Sequence, residues 1–360
     1  MGRQPSDQRR AVHRERRRCR KRVMWRKKAF TIHSSFSIRW FSTKAMKKQP
    51  AMESIGFVGV GNMGFHMARS LIKSGFQISV HDKNQESMNR FMDSGIPTRC
   101  TPLQLAEECD VVITMLPSPS DVLEAFMGPN GFLQVEKTRP WLFIDSSTID
   151  PQTSRKISAN LSTHVLKSPH RMSHPTMLDA PVSGGVPGAE AATLTFMVGG
   201  LEEVFLEAKS LFLSMGKHAV YCGGIGNGAA AKLCNNLALA INMLGVSEAF
   251  ILGQRLGITS GTLTDIFNSS SARCWSSDTY NPVPGVMNGV PSSRNYEGGF
   301  LSKLMLKDLD LALRSIKDMN LNCPLSAQAL EIYQETCNSG HEMKDFSCVY
   351  RHYYSGKDDN

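Results

Sequence analysis

The stretch that decides the fold is SIGFVGVGNMG, residues 54–64. Its first half is mostly apolar or β-branched, which predicts a short buried strand, and FHMARSLIKSG, residues 65–75, has helical spacing. A strand, G-x-G-x-x-G and a helix in this order bind the pyrophosphate of a dinucleotide at the helix N-terminus. We therefore predict a dinucleotide site that contains Gly59, Gly61, Asn62, Met63 and Gly64.

Each glycine of this motif has its own physical task. Gly59 permits the tight turn, Gly61 lets the backbone approach the pyrophosphate, and Gly64 brings the helix close to the strand. A second predicted strand ends at Asp82, 18 residues past Gly64, close to the ~20 typical of the carboxylate that binds the adenosine ribose. Because that carboxylate repels a 2′-phosphate, NAD is favoured over NADP. The alternative is a glycine-rich turn followed by a surface aspartate.

Further strands alternate with helical segments, which predicts a doubly wound parallel sheet. DVVITML, residues 110–116, and WLFID, residues 141–145, are both typical of buried parallel strands. In such sheets ligands lie beyond the carboxyl ends of the strands, so Leu116-Pro117 and Ser146-Ser147-Thr148 should line the cofactor cleft; polar loops are the alternative. The prediction is an α/β Rossmann-type dinucleotide-binding domain over residues 53–220.

The segment PVSGG, residues 181–185, follows another predicted strand. Exposed N–H groups of Gly184 and Gly185, together with the Ser183 hydroxyl, would suit a substrate carboxylate. A simple turn has the same composition and is the alternative.

Strand alternation stops after a turn-rich stretch, YCGGIGNG, so residues 221–350 are predicted to form an all-helical C-terminal domain, followed by a tail, residues 351–360. Residues 229–256 are typical of one long apolar helix with Lys232 and Asn236 on the same face. Apolar surroundings lower the pKa of a lysine. Lys232 is therefore a candidate general acid or base, and Asn236 a candidate partner of a substrate hydroxyl or carbonyl. A lysine that extends to solvent is the alternative.

The N-terminus, residues 1–52, differs from the rest in charge. Residues 1–50 hold 17 Lys and Arg against two acids, while the net charge of the whole chain is only +9. The remaining chain is therefore mildly acidic, which argues against nucleic acid as a partner. A basic, Ser-containing and acid-poor leader predicts import into the mitochondrial matrix, with cleavage after Phe41 and translation from Met1 or Met24. A nuclear-import or nucleic-acid-binding arm is the alternative.

The cysteines and the apolar runs indicate whether the chain contains disulfides, a metal site or a membrane span. The nine cysteines include no C-x-x-C pair, so we expect reduced thiols, no disulfide framework and no metal site. No uninterrupted apolar run reaches the ~18 residues of a membrane span, because polar residues divide the strongest candidate, residues 237–252. We therefore expect no membrane partner.

Four separated motifs together resemble the β-hydroxyacid dehydrogenase family. They are the glycine motif, residues 59–64; DAPVSGG, residues 179–185; G-x-x-G-x-G-x-x-x-K-x-x-N-N, residues 223–236; and Phe300 with the later Lys307-Asp308-Leu309. The resemblance covers about residues 54–350. It implies an NAD-dependent oxidoreductase that acts on a small 3-hydroxy acid and forms a homo-oligomer through its helical part.

The resemblance also implies residue roles. Lys232 corresponds to the catalytic acid/base, and Asn236 to a residue that assists at the substrate. The substrate carboxylate would be held by Ser183, Gly184 and Gly185. Contacts to NAD would come from Leu116, Pro117, Asp121, Thr148 and, from the helical domain, Lys307. The family commonly has Asn at the position of Asp121.

Within the family, SSTIDPQTSRKIS, residues 146–158, and GVPSSRNYEGGF, residues 289–300, are most similar to the branch that oxidises 3-hydroxyisobutyrate to methylmalonate semialdehyde in valine breakdown. The alternatives are an NADPH-linked reductase of glyoxylate or succinic semialdehyde, which Asp82 disfavours, and a non-catalytic binding module, which Lys232 with Asn236 disfavours.

Two departures from the family pattern stand out. Ala192 replaces a usual glycine and would strain its turn if the turn needs a positive φ. Residues 161–176 are unlike the usual linker, and the sequence does not fix their conformation.

Overall fold

The computed structural model describes residues 54–168 and 172–354. All of them belong to one compact unit, Pro50–Asn360. The predicted leader, residues 1–52, the end of the predicted tail, residues 355–360, and a short part of the unusual linker lie outside the described residues.

Most strands join one twisted sheet around β1. The strands are β1 (Ile55–Val58), β2 (Ile78–His81), β3 (Val111–Thr114), β4 (Lys137–Thr138), β5 (Leu142–Asp145), β6 (Val165–Leu166), β7 (Thr176–Asp179), β8 (Val182–Ser183), β9 (Leu194–Gly199) and β10 (Gly216–Gly223). The order in the main sheet is β10-β9-β7-β5-β3-β1-β2, with β8 beside β9, and β4 pairs with β6 separately.

The central part of the sheet is parallel. Strands β2, β1, β3, β5 and β7 run in one direction, whereas β9 is antiparallel to β7 and parallel to β10. Strand β1 leads to β2 on one side and has β3 on the other, so the strand order reverses between β1 and β3. Ligands of doubly wound sheets bind at the carboxyl ends of the strands at such a point. The predicted Rossmann-type fold is confirmed.

The helices cover both faces of this sheet and continue beyond it. They are α1 (Asn62–Lys73), α2 (Gln85–Met92), α3 (Pro102–Glu108), α4 (Pro119–Met127), α5 (Pro151–Leu161), α6 (Gly185–Glu190), α7 (Glu202–Met215), α8 (Asn227–Arg255), α9 (Ser260–Ser269), α10 (Trp275–Asp278), α11 (Ser302–Asp318), α12 (Pro324–Thr336) and α13 (Tyr350–Tyr353). Short 3₁₀ turns occur at Phe132–Gln134, Pro291–Arg294 and Phe346–Val349, and a π turn at Cys337–His341.

Alternate residues of each strand supply two separate cores. In β3, Val111 and Ile113 pack with α1 and α7, whereas Val112 packs with α3, α4 and α5. This period of two is what a sheet covered on both faces requires. The strands are therefore apolar throughout, as their sequences predicted, and their polar termini are left to build the cleft.

The C-terminal part of the described chain is helical, as predicted. Strand β10 continues to Gly223, past the boundary predicted at residue 220, so YCG, residues 221–223, belongs to the sheet and not to a turn. Helix α8 follows at Asn227 and packs with α11, α12 and α13 around its own core, which includes Met243, Met305 and Tyr333.

Helix α8, Asn227–Arg255, is long and apolar enough to cross a membrane by length and composition, and it is the one such helix among the described residues. A core helix has the same properties. Here Lys232, Asn236 and Ser247 are buried along it, and the helix contacts β9 and β10 as well as its helical neighbours.

Candidate active site

A cleft of about 920 Å³ lies at the carboxyl ends of the central strands and is closed on its far side by α8 and α11. It contains most of the residues that the sequence predicted for the cofactor and the reaction. Those that line it are Gly59, Gly61, Asn62, Met63, Gly64, Asp82, Leu116, Pro117, Asp121, Thr148, Gly185, Lys232 and Lys307.

The glycine loop has the shape that a pyrophosphate requires. Gly59 has φ of +89°, and a Cβ there would collide with the Met115 carbonyl oxygen. A Cβ on Gly64 would collide with the Gly59 carbonyl oxygen, whereas a Cβ on Gly61 would meet no atom within 4 Å. The turn after β1 and the first turn of α1 are thus in contact at Gly59 and Gly64, while Gly61 faces open space. No side chain caps the N-terminus of α1, so its N–H groups are available to an anion.

Asp82 lies directly beside this loop. Its Oδ2 accepts a hydrogen bond of 2.8 Å from the Val60 N–H, and its Oδ1 accepts one of 2.8 Å from the Asn84 N–H. These contacts fix the carboxylate where an adenosine ribose would extend from the glycine loop. The residues at this end of the cleft therefore fit the pyrophosphate and ribose of a dinucleotide.

The loops after β3 and β5 are held together by a buried aspartate. Asp145 accepts hydrogen bonds from the Thr114 hydroxyl at 2.7 Å and from the Ser147 N–H at 3.1 Å. Burial raises the pKa of this carboxyl to about 6. The Ser147 hydroxyl in turn accepts a 2.8 Å bond from the Leu116 N–H, which fixes the Leu116-Pro117 wall of the cleft.

Lys307 connects these loops to the helical part. Its Nζ donates to the Thr148 carbonyl oxygen at 2.8 Å and to the Pro117 carbonyl oxygen at 3.3 Å. The three residues were predicted separately as cofactor contacts, and the structure brings them together at one point of the cleft.

Lys232 is the buried cation of the site. Only 7% of its surface is exposed, and it lies on the cleft side of α8. Burial lowers the pKa of its ammonium to about 8, the nearby Asp308 carboxylate opposes this shift, and the Lys307 charge adds to it. A lysine of this pKa exchanges its proton near neutral pH, which an ordinary surface lysine does not.

Asn236 supports the site from behind instead of lining the cleft. It is 2% exposed, and its Nδ2 donates a 2.6 Å hydrogen bond to Oδ2 of Asp308. The other oxygen of Asp308 lies 3.1 Å from the Lys307 Nζ, as an ion pair without hydrogen-bond geometry. Asn236 therefore binds the carboxylate that opposes the pKa shift of Lys232. It is not among the residues that line the cleft, and its contact with the substrate stays a prediction.

The predicted carboxylate site is only partly in the cleft. Gly185 lines it together with Val182 and Val186, whereas Ser183 and Gly184 are not among the lining residues. Ser183 ends β8 and pairs with Thr195 of β9. Gly184 and Gly185 have φ of +134° and +61°, so the turn requires glycine-like backbone.

A second buried aspartate, Asp179, joins the sheet to the helix that carries Lys232. Its two oxygens accept hydrogen bonds of 2.7 Å from the Gly226 N–H and 2.8 Å from the Ala229 N–H. These donors are the first N–H groups of α8, so the carboxylate also complements the helix dipole. Burial raises the pKa of Asp179, and the bonds from this helix terminus oppose the shift.

Sequence reasoning did not assign roles to Asp179, Asp308 or Lys83. The first two stood inside motifs, DAPVSGG and the Lys307-Asp308-Leu309 run, and for Asp179 an acid inside an otherwise apolar segment was the available signal. Lys83 follows Asp82, lines the cleft, and pairs with Glu124 at 2.5 Å and Asp121 at 3.4 Å.

Ala192 has the positive φ that was expected to strain its turn. Its φ is +53°, in the left-handed region that favours glycine. The turn lies between α6 and β9, where the Thr193 N–H donates to the Gly188 carbonyl oxygen at 2.8 Å. Ala192 does not line the cleft.

The arrangement of the His, Cys, Asp and Glu side chains shows whether the described residues could bind a metal ion. Within residues 54–168 and 172–354, no group of three or more His, Cys, Asp or Glu side chains is arranged to hold a metal ion. The polar groups of the cleft are instead glycine-loop N–H groups, carboxylates and three lysines, Lys83, Lys232 and Lys307, a donor set that fits a dinucleotide and a small acid.

Two family models match the chain in sequence. The NAD-binding domain of 6-phosphogluconate dehydrogenase matches residues 54–224. The model described as NAD-binding of NADP-dependent 3-hydroxyisobutyrate dehydrogenase matches residues 226–353.

Known relatives match along nearly the whole chain. A protein of Arabidopsis thaliana named probable 3-hydroxyisobutyrate dehydrogenase, mitochondrial, is 55% identical over 90% of this chain and 94% of its own length. The Bos taurus 3-hydroxyisobutyrate dehydrogenase, mitochondrial, is 48% identical over 82% of this chain and 85% of its own.

A solved structure agrees with this similarity. The 3-hydroxyisobutyrate dehydrogenase of Mycobacterium tuberculosis, solved with L-serine, is 34% identical with a TM-score of 0.76, and the match covers 84% of this chain and all of that one. The resemblance seen in the motifs is thereby confirmed, and so are NAD as the cofactor and oxidoreductase as the enzyme class. The chain belongs to the 3-hydroxyisobutyrate dehydrogenase family of NAD-binding oxidoreductases.

Proposed function

We propose that this enzyme catalyses the reversible oxidation of 3-hydroxyisobutyrate to methylmalonate semialdehyde, a step of valine breakdown, with NAD in preference to NADP. The observation that carries the proposal is Lys232, a buried lysine with a pKa of about 8 in the cleft that also contains the glycine loop and Asp82. The names of the relatives support the substrate, and L-serine in the Mycobacterium tuberculosis structure, itself a small 3-hydroxy acid, supports the substrate class.

Lys232 would act as the general acid/base. In its neutral form the amine takes the proton of the substrate hydroxyl, and in the reverse direction the ammonium returns a proton to the forming hydroxyl. NAD, when bound, supplies the hydride acceptor. Asp308 faces the ammonium and Asn236 holds that carboxylate by its 2.6 Å hydrogen bond, so both would position the charge around Lys232.

The substrate carboxylate would be held at the turn of Ser183, Gly184 and Gly185. Gly185 lines the cleft, and both glycines have positive φ, a backbone shape that directs N–H groups to a common point. The cofactor would be bound by the glycine-loop residues Gly59 to Gly64, by Asp82, and by Leu116, Pro117, Asp121, Thr148 and Lys307, all on the cleft wall.

The NAD preference rests on Asp82. Its carboxylate is fixed by two backbone N–H groups, so it cannot turn away from a 2′-phosphate at little cost. Bringing a phosphate beside a carboxylate is electrostatically unfavourable.

The names of the relatives and the composition of the leader support a location, and the family resemblance supports an assembly. Several relatives are named mitochondrial, which supports mitochondrial import, and we propose the matrix, with residues 1–52 as the leader segment and cleavage within it after Phe41. The domain division would be residues 53–223 for NAD, since β10 extends the predicted boundary from residue 220 to Gly223, residues 224–350 for substrate and homo-oligomer contacts, and residues 351–360 as a tail.

A turnover assay tests the function directly. The purified enzyme is given 3-hydroxyisobutyrate, L-serine and other 3-hydroxy acids with NAD or NADP, and the semialdehydes of the competing reductases in reverse. We expect the highest kcat/KM for 3-hydroxyisobutyrate with NAD. A higher value for NADPH-linked reduction of glyoxylate or succinic semialdehyde would reject the proposal, as would no turnover of any hydroxy acid.

Substitution of the lysine tests the mechanism. Lys232→Ala should lower kcat by about 10²–10⁴-fold, the usual contribution of a general acid/base. Lys232→Arg should fail almost as badly, because guanidinium keeps its proton and has a different shape. Lys303→Ala, at an exposed lysine of α11, is the matched control. If Lys232→Ala kept more than about a tenth of the rate, the assigned role would be wrong.

A further inference from the structure

Lys83 is a cation beside the ribose-binding end of the cleft. It follows Asp82 directly, lines the same cleft, and has an exposed side chain. In doubly wound folds a basic residue near the ribose carboxylate is the usual partner of a 2′-phosphate. An enzyme that prefers NAD would not be expected to present one there.

The position of Lys83 is set from the opposite wall of the cleft. Its Nζ lies 2.5 Å from Oε2 of Glu124 and 3.4 Å from Oδ1 of Asp121, both on α4. These two carboxylates raise the pKa of Lys83, with the Glu124 hydrogen bond as the largest cause. The lysine is thus paired with α4 while its side chain stays exposed to solvent.

The acids themselves are held in place. Asp121 lies in the first turn of α4, and its Oδ2 accepts a 2.5 Å hydrogen bond from the hydroxyl of Ser118, which caps that helix. A carboxylate at this end of a helix is also favoured by the helix dipole. Two carboxylates therefore pair with one ammonium, and the local charge is negative.

We propose that Lys83 is a latent 2′-phosphate-binding residue that Glu124 and Asp121 hold inactive, so that these two acids enforce the choice of NAD together with Asp82. The inference rests on the NAD preference proposed above and names further residues that determine it. Because exposed ion pairs contribute little to folding stability, releasing Lys83 leaves the fold intact.

Calorimetric binding separates this role from catalysis. The probes are AMP and adenosine 2′,5′-bisphosphate, which differ only by the 2′-phosphate. Their Kd ratio is measured for the wild type, Glu124→Gln, Lys83→Ala and the double variant, with Glu203→Gln, an exposed acid of α7 outside the cleft, as the charge-matched control. The kcat/KM ratio for NADP over NAD is measured on the same proteins.

Glu124→Gln removes one of the two carboxylates that pair with the Lys83 ammonium. It should improve the relative affinity for the 2′,5′-bisphosphate, and the relative use of NADP, by about tenfold, the order expected for one unpaired ammonium in contact with a phosphate. The double variant should lose this gain, and 0.5 M salt should reduce it, because exposed charges are then screened. Adding Asp121→Asn to Glu124→Gln should further increase the relative affinity for the 2′,5′-bisphosphate.

Two results would overturn the inference. One is an unchanged ratio in Glu124→Gln. The other is a gain that persists in the double variant, since the acids would then act by repelling the phosphate directly. A wild type that used NADP as well as NAD would reject the proposed cofactor preference, yet the comparison of Glu124→Gln with the double variant would still decide the role of Lys83.

Discussion

Replacing Lys232 by methionine should abolish catalysis and stabilise the fold. Methionine has a similar length and no charge, so it keeps the packing of α8 while removing the ammonium from a site that is 7% exposed. A buried charge disfavours the folded state when burial lowers its pKa. The pKa of Lys232 falls from 10.5 to about 8, and this difference sets the size of the effect.

The magnitude follows from proton linkage. Each pKa unit corresponds to about 1.36 kcal/mol, so the lowered pKa costs about 3 kcal/mol of folding free energy wherever the lysine is charged in both states. The folded protein releases this proton near pH 8 and the unfolded chain near 10.5. The cost is therefore fully present below pH 8, decreases as the pH rises from 8 to 10.5, and is absent above that range.

Thermal unfolding of wild type and Lys232→Met at pH 7 and pH 10 measures the difference. We expect the variant to melt several degrees higher at pH 7, at about 2 °C per kcal/mol, the lower end of the range for smaller chains, and the gap to narrow at pH 10. Lys303→Met, at an exposed position, should show neither effect. If Lys232→Met melted at or below the wild-type temperature at pH 7, or if the gap did not depend on pH, the ammonium would not be destabilised by burial.

Three further outcomes are expected. The kcat/KM for oxidation should rise with pH through about 8 and that for reduction should fall through the same value, because the two directions need the neutral and the protonated Lys232; parallel profiles would contradict the assignment. Ala192→Gly should raise the free energy of unfolding by about 0.5–1 kcal/mol by relieving its positive φ, whereas Ala191→Gly, at φ of −79°, should lower it in denaturant titrations. Asp82→Ser should reduce the ratio of kcat/KM for NAD over NADP, and an unchanged ratio would remove Asp82 from cofactor selection.

The sequence predicted those parts of the site that depend on local pattern. The glycine motif and the apolar strands around it have fixed periodicity and spacing, so the loop near Gly59 and the ribose carboxylate at Asp82 could be placed before the structure was known. The lowered pKa of Lys232 was also predictable, because the residues around it on one helix are apolar.

Contacts between distant segments were not predictable in this way. Asn236 meets Asp308 across 72 positions of sequence, and Asp179 meets Ala229 across 50. Such pairs depend on how α8 and α11 pack on the sheet, which no local spacing encodes. The YCG segment, residues 221–223, shows the same limit, because its position in a glycine-rich stretch favours a turn but pairing with β9 extends it as a strand.

The joint between the sheet and α8 bears on how natural variation in this chain should be interpreted. Gly199 and Gly228 face each other there, and a methyl group on either would press against Asp179 and neighbouring backbone atoms at van der Waals overlap. Neither glycine lines the cleft, yet an alanine at residue 228 would displace the start of the helix that aims Lys232, and displacements of about 1 Å can cost a hundredfold in rate. In a genetic survey, alanine at either position belongs among the active-site variants and not among the neutral surface changes.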